Sequence, residues 1–491
     1  MSKSFTLNRG SRGRAEICHR TSGPRTVTMV AVCLATLLAG CSLSPVYERP
    51  ISPVPVSIGQ EAGGDSSRAI ALQEWRQVFV DPQLQHLIET GLEHNRDLQI
   101  AVLNVDAARA QFRVQRAGLL PEVAVQGEGA RQRSPADLSP NGRSMTAGQY
   151  SVGTMASYEL DFFGRIRSLS AEALERFLAS EEARRSAQIS LVAEIAGAYL
   201  AWVVDQQLLE LARETENTRE RTVELVERQY QVGVATRLDL SQAMGALHDA
   251  RSRTAEFDRL VEQDKNALLL LTGNSRHLVL NAVPADAASV VRLSGVPESL
   301  PSDVLLRRPD VLAAEHEIQA ANGNIGAARA AFFPRIVLTG SGGTASSDLS
   351  KLFSGGTGTW SFMPRLDLPI FDFGRRQANL DLARVQRDIR IARYEQAIQS
   401  GFREVADALV ARSRYVRQLN ALENMVEEAQ RTHELSFHRY EAGVDSFLQV
   451  LDAQRTLFTA RQALLITGLQ QQLNLVQLYR ALGGGWGETD A

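Results

Sequence analysis

The fold is decided by two copies of one segment, Tyr230-Gln-Val-Gly-Val-Ala-Thr-Arg-Leu-Asp239 and Tyr440-Glu-Ala-Gly-Val-Asp-Ser-Phe-Leu-Gln449. A proline-free stretch of about 67 residues precedes each copy, enough for a helix of about 100 Å at 1.5 Å per residue. The glycine suits a left-handed C-terminal cap. A hydroxyl residue followed by an acid or amide three positions on has the spacing of a capping box. Each copy therefore predicts a long helix, a tight turn and a return helix, at 236–272 and 446–482.

The remaining sequence is also duplicated. Phe163-Gly-Arg165 matches Phe373-Gly-Arg375 at the same spacing of 210 residues, and Asn95-Arg-Asp-Leu98 matches Arg308-Pro-Asp-Val311 at a spacing of 213. Ordered matches at a fixed period indicate one supersecondary unit written twice. The predicted segments are a signal peptide (1–40), an N-terminal tether and equatorial segment (41–80), a helix (81–118), a strand pair (119–163), the first long hairpin (164–272), an equatorial insert (273–301), a helix (302–331), a strand pair (332–373), the second long hairpin (374–482) and a tail (483–491).

The strand pairs alternate apolar and polar residues, which is typical of strands with one apolar face. Ser134–Gly148 and Gly340–Gly358 are rich in serine and glycine and are predicted to be loops, while Pro364 predicts an edge strand or a bend. Four strands are too few for a membrane barrel, which needs about eight. Two, three or four copies sharing one barrel would give eight, twelve or sixteen strands. A sheet packed on the chain's own helices is the alternative.

The N-terminus has the pattern of a secretory signal. Basic residues between Lys3 and Arg25 precede an apolar run from Val27 to Leu38, and Leu-Ala-Gly then leads into Cys41. This sequence resembles a bacterial lipobox, in which the cysteine becomes the lipidated N-terminus. Ser42, rather than an aspartate, follows Cys41 and favours the outer membrane. An ordinary signal peptide with a chance cysteine is the alternative.

Composition excludes several functional classes. A net charge of −3 and a pI near 6.3 argue against a nucleic-acid-binding protein. All three cysteines lie in the first 41 residues, so the rest of the chain has no cysteine metal site. His316-Glu-Ile-Gln-Ala320 lacks the second histidine of a zinc-protease helix. We therefore expect neither an enzyme nor a metal or cofactor site.

Several motifs together resemble one family. They are the lipobox at Cys41, Ser44-Pro-Val-Tyr47, Phe79-Val-Asp-Pro82, Asp372-Phe-Gly-Arg375 and Ala481-Leu-Gly-Gly-Gly-Trp486. In this order, and with the duplicated spacing, the chain resembles the TolC/OprM-type outer membrane factors of tripartite efflux pumps, most closely their lipoprotein, NodT-like branch. The resemblance implies a mainly α-helical fold with a membrane β part. It also implies a homotrimer with a twelve-stranded β-barrel, four strands per chain, that continues into a twelve-helix periplasmic α-barrel.

The same resemblance implies the function. The protein would be the exit duct of a tripartite multidrug efflux pump in the outer membrane of a Gram-negative bacterium. Its partners would be outer membrane lipid, a periplasmic membrane-fusion adaptor and an inner-membrane transporter of the resistance-nodulation-division type. Cys41 would carry palmitoyl and diacylglyceryl groups. A duct for type I protein secretion or for metal efflux has the same fold and remains the alternative.

The hairpin turns hold the candidate site residues. Leu448, Asp452 and Arg455 are spaced i, i+4, i+7 and share one helical face, so a trimer would repeat each of them as a ring that could gate the pore. The family's constriction uses these positions. Arg237 and Asp239 lie at the corresponding first turn and are a second gate candidate, although Asp239 also suits a capping box. By resemblance, the adaptor docks on the turns Val232, Gly233, Val234, Ala442, Gly443 and Val444.

Overall fold

The computed structural model describes residues 43–58, 74–139, 142–273, 290–293 and 300–484. These residues form two compact units. One unit contains a β-sheet built from 121–165 and 333–368, and the other is helical and contains the described residues of 44–120, 166–332 and 369–484. Each sequence repeat contributes to both units.

The sheet unit has four antiparallel strands, β2 (Glu122–Ser134), β3 (Met145–Leu160), β5 (Arg335–Ser346) and β6 (Gly358–Asp367). They lie side by side in this order. The register places Val125, Thr154, Gly342 and Trp360 side by side across the four strands. Each repeat supplies one hairpin, as predicted. Pro364 lies in β6, an edge strand of this sheet, which is where proline is tolerated and where the sequence predicted it.

The predicted loop boundaries were wrong in both hairpins. The loop predicted at Gly340–Gly358 begins only after Ser346, and the one predicted at Ser134–Gly148 ends where β3 starts, at Met145. Glycine weakens a strand but does not exclude it where the neighbouring backbone comes close. Gly343 is such a position, because a Cβ built there would lie 2.3 Å from the Val152 carbonyl oxygen on β3.

The helical unit contains the two predicted hairpins. The first is α4 (Arg165–Gln231) with α5 (Arg237–Thr272), and the second is α7 (Arg375–Glu441) with α8 (Phe447–Ala481). Both long helices have 67 residues. Shorter helices precede each hairpin. The two-residue strands β1 (Ser57–Ile58) and β4 (Leu300–Pro301) pair antiparallel, with Ser57 opposite Pro301 and Ile58 opposite Leu300. The shorter helices are α1 (Trp75–Val78), α2 (Pro82–His94), α3 (Arg96–Ala117) and α6 (Pro309–Ala330).

The single helix predicted at 81–118 is two helices that meet at Asn95. Asn95 is buried, and its side-chain oxygen accepts a hydrogen bond from the Leu98 amide at 2.9 Å, which caps α3. Its side-chain nitrogen donates to the Leu271 carbonyl at 2.9 Å. The helix predicted at 302–331 likewise divides into a 3-10 turn, Ser302–Arg307, and α6, because Pro309 at the first helical position starts a new helix.

The main apolar core lies where the shorter helices pack on the middle of the hairpins. Tyr199 and Trp202 of α4, Leu268 of α5, Tyr394 of α7 and Leu478 of α8 belong to it. Helix α4 also contains an 18-residue stretch that is long and apolar enough to cross a membrane, with a mean hydropathy of 1.5. Because 61% of that stretch is buried in the structure, it is suited to a core helix.

Candidate functional site

The two hairpin turns have the same backbone geometry. Gly233 and Gly443 have positive φ values of 81° and 71°, a conformation that residues with a side chain rarely adopt. The Val234 amide donates to the Gln229 carbonyl at 2.8 Å, and the Val444 amide donates to the Arg439 carbonyl at 2.9 Å. These bonds satisfy the free carbonyls at the end of each long helix. The predicted glycine caps are therefore confirmed in both repeats.

The predicted capping boxes are present in only one repeat. At the start of α5, the Asp239 amide donates to the Thr236 hydroxyl at 3.1 Å, and the Asp239 carboxylate accepts from the Thr236 amide at 2.8 Å. The prediction for Ser446 and Gln449 was wrong, since the Ser446 side chain makes no cap bond. The Gln449 amide donates instead to the Ser446 backbone carbonyl at 3.1 Å. In a capping box the same N–H would donate to the Ser446 hydroxyl.

The gate candidates of the second hairpin share one exposed face of α8. Arg455 Nη2 lies 2.5 Å from Asp452 Oδ1, and the Arg455 and Asp452 side chains are 76% and 62% exposed. Leu448 is 58% exposed, one turn before Asp452. An exposed ion pair of this kind contributes little to the stability of one chain. These three side chains are therefore available for contacts outside the chain.

The gate candidates of the first hairpin have different roles. The Asp239 carboxylate is part of the capping box, where it also accepts from the Thr236 hydroxyl at 2.6 Å. Arg237 is exposed beside it, and no ion pair joins the two side chains in the described part of the chain. The Asp239 carboxylate is therefore used to cap the start of its own helix, whereas Arg237 faces solvent.

The predicted docking turns expose apolar side chains. Val232 and Val234 are each 75% exposed, and Val444 is 62% exposed. Beneath them, a small apolar cluster packs the two hairpins together. It includes Val226, Ala243, Phe447 and Val450. The turns thus expose apolar side chains and are supported by the packed cluster beneath them.

Two polar contacts at the turns were not predicted from the sequence. The Arg439 guanidinium bonds both oxygens of Asp445, at 2.6 and 3.0 Å, and so spans the second turn. The Tyr440 hydroxyl donates to the Gln229 side-chain oxygen at 2.7 Å, which joins the second hairpin to the first. The only signal in the sequence is the six-residue spacing of an Arg and an Asp on either side of a turn glycine.

A carboxyl pair was also missed. Asp205 of α4 and Asp264 of α5 lie within hydrogen-bonding reach of each other. Burial and the neighbouring Asp205 carboxylate raise the pKa of Asp264 to about 7. Two aspartates 59 residues apart give no signal until the hairpin register is known.

The sheet exposes large apolar side chains on one face. Val123, Val125, Trp360, Phe362 and Leu366 are between 61% and 83% exposed, and the strand register places them on the same side. On the opposite face Ser341 and Ser361 share a hydrogen bond of 2.7 Å. An apolar face of this size on one chain requires a partner or a lipid environment.

Cys41, the predicted lipidation site, lies outside the described residues. No cluster of metal ligands is found among the residues the structure describes.

Comparison with known proteins gives the family. The model of the family described as "Outer membrane efflux protein" matches residues 87–274 and again 300–484, so its two matches correspond to the two repeats. The chain belongs to this family. It is therefore a transport protein of the outer membrane and not an enzyme.

Individual relatives agree with this assignment. The chain is 49% identical to the probable efflux pump outer membrane protein TtgC of Pseudomonas putida over 464 residues, which cover 92% of this chain and 94% of the relative. It is 48% identical to the toluene efflux pump outer membrane protein TtgC of another Pseudomonas putida strain, with the same coverage. The crystal structure of the open state of the MtrE outer membrane channel of Neisseria gonorrhoeae matches with a TM-score of 0.80 and 39% identity, over 91% of this chain and 98% of that one.

Proposed function

We propose that this protein is the outer membrane exit duct of a tripartite efflux pump and that its cargo is small organic compounds, including antibiotics and solvents. The observation that carries the proposal is the combination of an apolar sheet face with two hairpins whose exposed turns carry a candidate gate. A relative at 48% identity is described as part of a toluene efflux pump. An inner-membrane transporter of the resistance-nodulation-division type and a periplasmic adaptor would deliver the cargo.

The duct would be a homotrimer, and the internal repeat supports a specific contact between copies. Within one chain, His316 Nδ1 of α6 lies 2.7 Å from Glu175 Oε2 of α4, so the second short helix packs on the first long helix. The corresponding positions of the other repeat are Leu103 on α3 and Val385 on α7. Both are apolar and exposed, at 64% and 55%. Helix α3 of one copy would therefore pack on α7 of the next, which closes a ring.

Disulfide trapping tests this contact. Leu103→Cys combined with Val385→Cys should give covalent dimers and trimers on a non-reducing gel after mild oxidation, since paired cysteines need Cα atoms about 4.4–6.8 Å apart. Either single variant should stay monomeric on the same gel, and Leu103→Cys with Asp407→Cys is the mismatched control. An intact native trimer without cross-linking of the Leu103–Val385 pair would show that the seam lies elsewhere.

The anchor of the duct would be Cys41. A triacylated cysteine together with inserted strands would hold the protein in the outer membrane permanently. Labelled palmitate should enter the wild type and should not enter Cys41→Ser. Equal labelling of the two proteins would refute lipidation at this residue, while the barrel assignment would be unaffected because the strands have their own apolar face.

Deletion of the gene tests the function itself. The deletion strain should become more sensitive to several unrelated antibiotics and to toluene, and the wild-type gene should restore resistance. Deletion of the partner transporter should give the same profile. A changed tolerance to metal ions alone, or loss of one secreted protein alone, would assign the duct to metal efflux or to type I secretion instead.

A further inference from the structure

A cavity of about 180 Å³ lies between the two hairpins of one chain. Its walls come from α4 of the first hairpin and from both helices of the second, and they include Arg219, His433, Gln454 and Arg461. One water molecule in the liquid occupies about 30 Å³, so the cavity has room for a small polyatomic ion with some of its water.

The walls of the cavity are positively charged on balance. Arg219 of α4 is only 8% exposed, and burial lowers its pKa although Asp249 attracts it. Arg461 of α8 donates one hydrogen bond, to the Gln430 side-chain oxygen at 2.8 Å, and a guanidinium carries five N–H donors. Glu214 is the single carboxylate among the lining residues. Two guanidinium groups facing one carboxylate favour an anion.

Two buried polar atoms in these walls have no partner within the described structure. Gln454 is 8% exposed, and its side-chain oxygen makes no hydrogen bond. His433 Nδ1 likewise makes no hydrogen bond, and burial lowers the pKa of that imidazole, which favours its neutral form. A buried acceptor without a donor is destabilising. The occupant of the cavity should therefore also donate a hydrogen bond.

We propose that the cavity binds a protonated oxyanion, namely hydrogen phosphate. Its charged oxygens accept hydrogen bonds from Arg219 and Arg461, and its P–OH group donates to the Gln454 oxygen. Sulfate has the same shape but no proton at neutral pH, so it leaves the Gln454 oxygen unpaired. Because Arg219 is on the first hairpin and the other two are on the second, the bound anion links the hairpins next to Arg455, which directly follows Gln454.

Calorimetric titration of the detergent-solubilised trimer tests the proposal. Inorganic phosphate should bind, and sulfate at equal ionic strength should bind about tenfold more weakly, as expected for one unsatisfied hydrogen bond. Arg461→Gln and Gln454→Leu should each lower phosphate affinity by about tenfold. Arg431→Gln is the matched control, since Arg431 is exposed on α7 and paired with Glu427 and Glu428. It should leave the affinity within about twofold of wild type.

Each other outcome decides against a part of the proposal. An absence of phosphate binding to the wild type, or equal binding by all variants, overturns the site. Equal binding of sulfate and phosphate overturns the role of Gln454 as the acceptor of a proton donor. Glycerol 3-phosphate is titrated in parallel. Because the second pKa of a phosphate monoester is about 6, this ester carries no P–OH proton in neutral buffer and should bind as weakly as sulfate. Binding as tight as that of inorganic phosphate overturns the role of the P–OH donor.

Discussion

The first hairpin, α4 with α5, and the second, α7 with α8, share a backbone but differ in the polar groups at corresponding positions. The second hairpin has Asp452 and Arg455 on an exposed face, where the first has Gln242 and Gly245. At mid-helix the first has the Asp205–Asp264 pair, where the second has Tyr415 and Asn474, and Asn474 donates to the Ala408 carbonyl at 2.9 Å. The turn glycines give both hairpins the same backbone, while the polar side chains at corresponding positions make different contacts.

The burial of the two repeats differs as well. Helix α6 of the second repeat is buried along most of its length, including Val311, Ile318, Ile325 and Ala330, whereas α3 buries only Leu98 and Val105. Helix α4 is likewise more buried than α7. The more exposed surfaces of α3 and α7 are the ones that the proposed ring of copies would cover.

The largest expected effect is on channel opening, which should depend on the second hairpin and not on the first. Leu448→Ala combined with Asp452→Ala removes an apolar ring and an ion pair of the proposed closed state, so single-channel conductance in planar bilayers should rise by at least about twofold. Cells should also become sensitive to a bulky antibiotic such as vancomycin. Leu238→Ala with Gln242→Ala changes the corresponding positions of the first hairpin and should change neither property.

A control variant and two contrary outcomes test whether the second hairpin is the gate. Asp407→Ala, at an exposed position in the middle of α7, should leave conductance and vancomycin sensitivity at wild-type values. If the second-hairpin variant forms normal trimers with unchanged conductance, the constriction is elsewhere, and Arg237 and Asp239 become the next residues to change. An opening caused only by the first-hairpin variant would reverse the assignment.

The features that could be predicted from the sequence are those set by local patterns. Two long proline-free stretches, two turn glycines and a period of 210 residues are enough for the hairpins, and alternation is enough for the strands. The break at Asn95 was missed because its cap depends on a contact with the Leu271 carbonyl in a distant helix. The cavity around Arg219 and the Asp205–Asp264 pair depend on the register between helices, which a single sequence does not give.

A second prediction concerns pH and the middle of the hairpins. The pKa of Asp264 is raised from 3.8 to about 7, so its contribution to stability is fully present below pH 3.8 and is lost as the pH rises through 7. Asp264→Asn introduces the residue of the second repeat and should abolish this loss, by about 1–2 kcal/mol between pH 5 and 8 after solvent screening. Thermal unfolding of wild type and variant across this range measures it.

The control for that experiment is an exposed carboxylate on the same helix. Asp258 of α5 pairs with Arg213 at 3.1 Å, and both side chains are more than half exposed. Asp258→Asn should keep the pH dependence of the wild type. If Asp264→Asn also keeps it, the two carboxyl groups do not share a proton, and the coupling inferred for the first hairpin is wrong.

A third prediction compares the two helix starts. Thr236→Ala removes a side-chain cap and should destabilise the first turn of α5 by about 1 kcal/mol. Ser446→Ala should have almost no effect, since the Ser446 side chain makes no cap bond. Hydrogen exchange of the amides in 237–240 and 447–450 measures both. Equal losses of protection would mean that Ser446 caps α8 in solution.

The smallest expected effect is at the second turn, where an ion pair stands in place of a capping box. Arg439 is exposed to water and Asp445 is partly exposed, and the hydrogen bond and opposite charges of the pair raise the pKa of Arg439 and lower that of Asp445. Asp445→Asn should therefore speed hydrogen exchange at 442–446 in low salt. The difference from wild type should shrink as salt rises to 1 M, because the Debye length falls to about 3 Å. The first turn has Ala235 at the corresponding position, so its exchange should be independent of salt and serves as the internal reference. A salt-independent difference at the second turn would assign the effect of Asp445 to backbone geometry rather than to its charge.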